Sequence, residues 1–91
     1  MNFESYSLIF KALSHPLRLQ IACGLMNKKE CNVSTMVEKL GVSQPMVSQH
    51  LNILKNAGII ESQRKGNQIC YSVNNEQVKN IIKSMEINLC E

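Results

Sequence analysis

Four cysteines, Cys23, Cys31, Cys70 and Cys90, are the residues with the widest chemical range in this chain. Thiols can close disulfides, hold soft metal ions or be oxidised. No two of them stand as C-x-x-C, which argues against a zinc ribbon, and their scatter argues against a stapled secreted fold. Thiols kept reduced in a cytosol are the default expectation. A second group is polar and neutral: Gln44, Ser48, Gln49 and Asn52 recur at helical spacing. Amides and hydroxyls so placed can bond base edges and phosphates in a major groove. The alternative for that row is a plain solvated helix face. Arg64-Lys65-Gly66-Asn67 tips the balance, because a basic turn beside such a helix can grip a phosphate. His15 and His50 are expected to make structural hydrogen bonds, since a zinc site needs three or four converging ligands and no such set appears. Without C-x-x-C, a Gly-rich phosphate loop, paired carboxylates or a Ser/His/Asp set, an enzyme (a small thiol reductase) is a remote alternative.

The elements that must position these groups follow from apolar periodicity and capping residues. Phe3, Tyr6, Ile9, Phe10 and Leu13 mark an amphipathic first helix, which Ser14-His15-Pro16 breaks. Ser14 can cap a second helix over about 16–26, with Leu17, Ile21 and Leu25 on one stripe. After a polar turn at 27–30, Thr35 and Glu38 form a capping box for a short helix carrying Met36, Val37 and Leu40, which Gly41 ends. Ser43 caps a fourth helix over about 44–56, with Pro45 in its first turn and Val47, Leu51 and Leu54 facing inward; Gly58 stops it. Runs over 59–64 and 68–73, joined by Lys65-Gly66-Asn67, predict a β-hairpin. Asn74 or Asn75 can cap a last helix holding Val78, Ile81, Ile82, Met85 and Leu89. The prediction is a single domain over 1–91, mainly α with a β-hairpin wing, in the order α-α-α-α-β-β-α. Helix, tight glycine turn, helix, ribbon is a winged helix-turn-helix.

Composition sets the bounds. Ninety-one residues make one small domain with little room for both a core and a deep pocket. With 44% hydrophobic and 19% charged residues the chain is globular, and with no Trp its core is aliphatic. A net charge of +3 permits nucleic-acid binding without requiring it. No apolar run approaches a membrane span, and 1–5 lack a basic start and an apolar stretch, so a cytoplasmic protein without membrane contact is expected.

Ala12-Leu13-Ser14-His15-Pro16-Leu17-Arg18-Leu19, Leu40-Gly41-Val42-Ser43-Gln44-Pro45, Ser48-Gln49-His50-Leu51, and Leu54 followed by Ala57-Gly58-Ile59-Ile60 resemble the ArsR/SmtB family of winged-helix repressors. The wing Arg64-Lys65-Gly66 and Tyr71 fit as well, and the likeness spans roughly residues 6–90. It implies a homodimer built on the first and last helices, a palindromic double-stranded operator, and a small inducer that releases the DNA. With the polar helix and basic wing, DNA contact falls to Ser43, Gln44, Pro45, Ser48, Gln49, His50, Asn52, Arg64, Lys65 and Asn67. No cofactor is expected. A winged helix used only for protein contacts is the rival, disfavoured by those same polar and basic groups.

The inducer can be sought in the family's thiol and metal patterns. The Cys-x-Cys of arsenic and lead sensors is not reproduced, because Asn32 and Ser34 stand there with Cys31 only nearby. The last helix offers Glu86 and Cys90 but no His, unlike zinc and nickel sensors. Cys23 in the second helix and Cys90 at the end of the last do resemble the dithiol of the family's redox and reactive-sulfur sensing branch. That resemblance implies release by an oxidant or a sulfur donor. Taken singly, Cys23 reads as a buried small hydrophobe and Cys90 as a terminal residue. The alternative inducer is arsenite or Cu(I) held by Cys23, Cys31 and Cys90. Cys70 reads as packing.

Overall fold

The computed structural model describes residues 2–26 and 32–85. Five helices and a hairpin follow one another as α1 (Phe3–Leu13), α2 (Pro16–Met26), α3 (Val33–Leu40), α4 (Gln44–Asn56), β1 (Ile60–Lys65), β2 (Gln68–Val73) and α5 (Glu76–Ser84). This is the expected order. The core is aliphatic, with Met36, Val47, Leu51, Leu54, Ile59, Val78 and Cys23 fully buried among α2, α3, α4, α5 and the base of the hairpin. Helix α3 packs on α4, α2 lies against β2 and α4, and α1 closes over α2 and α4.

Most helix starts are fixed by one short polar side chain each. Ser43 Oγ accepts the Met46 N–H at 3.3 Å and Asn75 Oδ1 the Val78 N–H at 3.2 Å, as capping requires. Two expected caps are reassigned. Ser14 serves the end of α1, donating its hydroxyl to Lys11 O at 2.7 Å; the start of α2 is instead served by His15 Nδ1, which accepts the Leu17 N–H at 3.1 Å. Helix α3 begins before the Thr35–Glu38 box, because Asn32 Oδ1 takes both the Thr35 N–H and its hydroxyl at 2.8 Å each. An acceptor three residues upstream leaves Thr35 a donor within the first turn.

The strands pair antiparallel from Ile60 opposite Val73 to Lys65 opposite Gln68, so Gly66 and Asn67 alone form the loop. Gly66 adopts φ +64°, the region such tight hairpins favour. The first strand starts one residue later than expected, because the Ile59 N–H still bonds Leu54 O at 3.0 Å and finishes the turn after α4. No helix among the described residues is long and apolar enough to cross a membrane.

Candidate nucleic-acid interface

The turn between α3 and α4 is set by Gly41, which takes φ +68° and donates its N–H to Val37 O at 3.0 Å. An L side chain is strained there, and glycine is not. Val42 and Ser43 complete the turn, and Pro45 fits the first turn of α4, where no N–H donor is needed.

Helix α4 has three sides. Val47, Leu51 and Leu54 enter the core. Gln44, Pro45, Gln49 and Asn52 are exposed and Ser48 is half-buried, all within an arc of about 140° at roughly 100° per residue. The third side, His50, Ile53 and Ala57, turns toward α1 and α2 and is half-buried. The wing is tied to this helix at its base. Lys55 Nζ donates to Ser62 Oγ at 2.9 Å, the Asn75 side-chain amide to Gly58 O at 3.2 Å, and the Asn74 amide to Glu61 Oε2 at 3.3 Å. Arg64, Lys65 and Asn67 stand exposed at the tip.

The sequence places His50 among the expected DNA contacts. Its ring packs instead on His15, with centroids 4.7 Å apart at 49°, and its buried Nδ1 has no hydrogen-bond partner among the described residues. Burial, then His15, then the Arg18 guanidinium hold its pKa below the ordinary 6.5. His15 makes the structural hydrogen bond expected of it; His50 does not. Arg18 joins this cluster, and no spacing signal pointed to it.

The thiols lie elsewhere. Cys23 is fully buried in α2, and Cys70 is half-buried on β2 with its Sγ 3.9 Å from Tyr71 O. Cys31 and Cys90, and Leu89 with them, fall outside the described residues. Among the described residues no three His, Cys, Asp or Glu side chains are grouped to hold a metal ion.

Helix, glycine turn, polar helix and basic ribbon together define a winged helix-turn-helix protein. Residues 15–62 match the sequence description of the bacterial regulatory proteins of the arsR family. A transcriptional regulator of Escherichia coli K12, YgaV, is 36% identical over 87 residues, covering 96% of this chain and 88% of that protein. The biofilm growth-associated repressor of Agrobacterium fabrum C58 is 33% identical over 84 residues, covering 92% and 71%. Among solved structures, the transcriptional repressor PagR of Bacillus anthracis superposes with a TM-score of 0.82 at 35% identity, covering 90% of this chain and 93% of that one. The homodimeric winged helix-turn-helix DNA-binding domain of a possible ArsR-family regulator from Mycobacterium bovis gives 0.80 at 26% identity, covering 91% and 76%. The chain belongs to the arsR family. It is a transcriptional regulator and not an enzyme, as its named relatives are.

Proposed function

We propose that this chain is a homodimeric, cytoplasmic repressor of a palindromic operator, released from DNA by thiol modification at Cys23 and Cys90. The observation that carries the DNA reading is the exposed row Gln44, Pro45, Gln49 and Asn52 with Ser48 beside it, on a helix whose opposite side is locked in the core. Ser43 fixes the start of that row, and Arg64, Lys65 and Asn67 hold a phosphate beside the groove. His50 faces His15 and drops out of the contact set. In the dimer the two α4 helices enter successive major grooves about 34–36 Å apart.

Two features support the dimer. Phe3 is 78% exposed and Phe10 55% exposed on α1, and Met85 is 45% exposed at the end of α5. The Mycobacterium bovis domain with the same fold is a homodimer. Tyr6 and Ile82, on the same two helices, are half-buried and buried within the protomer, so the phenylalanines and Met85 bear most of the contact.

For the switch, burial of Cys23 makes it the resolving partner and Cys90 the first responder. The Cys90 thiolate attacks a polysulfide, the sulfur–sulfur bond breaks, and a persulfide forms as a shorter polysulfide leaves. Cys23 then attacks the inner sulfur and expels hydrosulfide, closing a disulfide; bridges that keep extra sulfur reach further. The likeness of Cys23 and Cys90 to the dithiol of the family's reactive-sulfur sensing branch supports this reading. Operator binding is measured against salt in parent, Cys23→Ser and Cys90→Ser, before and after polysulfide. A steep fall of log K with log salt is expected, with release by polysulfide in the parent only. A flat salt profile ends the repressor reading. Release of both variants like the parent ends the dithiol and moves the signal to a soft metal ion on Cys31 with another thiol.

A further inference from the structure

An open cleft of about 290 Å³ lies between α1, α2 and the C-terminal half of α4, and neither the polar row of that helix nor a thiol lines it. Its walls are apolar: Leu8 and Ala12 from α1, Ile53 and Ala57 from α4 and the turn after it. Three polar groups converge on it, Lys11, Arg18 and Asn56, and no carboxylate lines it. The Nε of Arg18 is buried with no hydrogen-bond partner among the described residues. A buried guanidinium N–H without an acceptor is costly, and it is explained when an acceptor from outside completes it.

We propose that this cavity binds a small carboxylate with a short aliphatic tail. A guanidinium presents its donors in a planar fork that matches a carboxylate, while Lys11 adds a point charge and Asn56 an amide. The four apolar walls take the tail. The volume is at the small end of the roughly 300–1,000 Å³ usual for ligand sites, which limits the occupant to a short chain. The dimer contact proposed for Phe3 and Phe10 lies on another side of α1 from this site. On α1, Leu8 lies about 140° around the helix from Phe3, at roughly 100° per residue.

The full chain is titrated by calorimetry with sodium hexanoate, hexan-1-ol and sodium phosphate. Hexanoate saturates one site per chain; hexanol and phosphate bind at least about tenfold more weakly, each lacking either the charged hydrogen bonds or the buried tail. Lys11→Gln, at an exposed position, weakens hexanoate several-fold, and Ala57→Leu, which fills the cavity, removes binding. In the nuclear magnetic resonance titration of His50, hexanoate raises the midpoint, because the carboxylate offsets the Arg18 charge that holds it down. Failure of hexanoate to saturate overturns the site. So does hexanol binding equally, which leaves only a greasy cleft, or phosphate binding equally, which leaves only surface charge. Should Ala57→Leu fail to fold, an unchanged hexanoate affinity in Lys11→Gln together with an unmoved His50 midpoint decides against it.

Discussion

Helices α1 and α4 are amphipathic neighbours of similar length, yet their outer sides are opposite in chemistry. Helix α4 shows solvent Gln44, Gln49 and Asn52, whereas α1 shows it Phe3 and Phe10. An exposed amide row costs nothing in water and needs no protein partner. Exposed phenylalanines on one small domain are best explained by a second protein surface. The same core therefore carries one helix whose outer side suits water and one whose outer side leaves two aromatic rings in it.

The largest effects should separate those two roles. Leu51→Ala, inside α4, creates a core cavity and should cost about 2–5 kcal/mol, read from the urea midpoint. Phe10→Ala removes a side chain that is 55% exposed in the protomer. It should leave intrinsic protomer stability nearly intact while lowering dimer affinity by about 2 kcal/mol or more, read by sedimentation across concentrations. If Phe10→Ala left the dimer unchanged, the aromatic side of α1 would need another partner.

On the polar helix, Gln49→Ala should cost about 1–3 kcal/mol on the preferred operator and relax sequence preference. Arg64→Ala or Lys65→Ala should weaken all sequences alike and reduce the salt slope by about 1 each. Intact preference in Gln49→Ala would place base reading elsewhere on α4. Geometry comes next. Gly41→Ala should cost about 1–2 kcal/mol through its positive φ alone, since a Cβ there meets nothing within 4 Å, and Gly41→Asn should recover part of that.

What was legible in the sequence divides along the same physical line. Ser43, Gly41, Asn75 and the Gly66-Asn67 loop act within a few residues, so capping and turn rules located α4, the turn before it and the wing. Where two short polar residues compete within one turn, the same rules choose less well: Asn32 displaced Thr35, and His15 displaced Ser14 at the start of α2. The exposed side of α4 could be read because polarity alternates with a strong core stripe. His50 could not, because its environment is made by His15, thirty-five positions away, and by Arg18. The cavity beside Arg18 needs three helices at once, so no local pattern announces it. The thiol pair rested on resemblance, and Cys90 lies outside the described residues.

The smallest expected effect tests the third side of α4, where a histidine replaces both amides and phenylalanines. Burial, His15 and Arg18 all disfavour the charged imidazole, so the folded protein binds a proton at His50 less readily than the unfolded chain does. Between the depressed folded value and the ordinary 6.5, the unfolded state carries the proton and the native state does not. Stability rises with pH wherever the unfolded state binds more protons. Lowering pH through 6.5 should therefore erode stability, and the loss should stop once the folded value is passed. The groups facing the ring are both on or beside α2, so the erosion is a loosening of α4 from α2 rather than a loss at the reading row. His50→Gln removes the titrating group, and its urea midpoint should fall less than the parent's between pH 7.5 and pH 5.5. Equal falls in the two proteins would mean that other groups carry the acid sensitivity and that the His15–His50 contact tolerates charge.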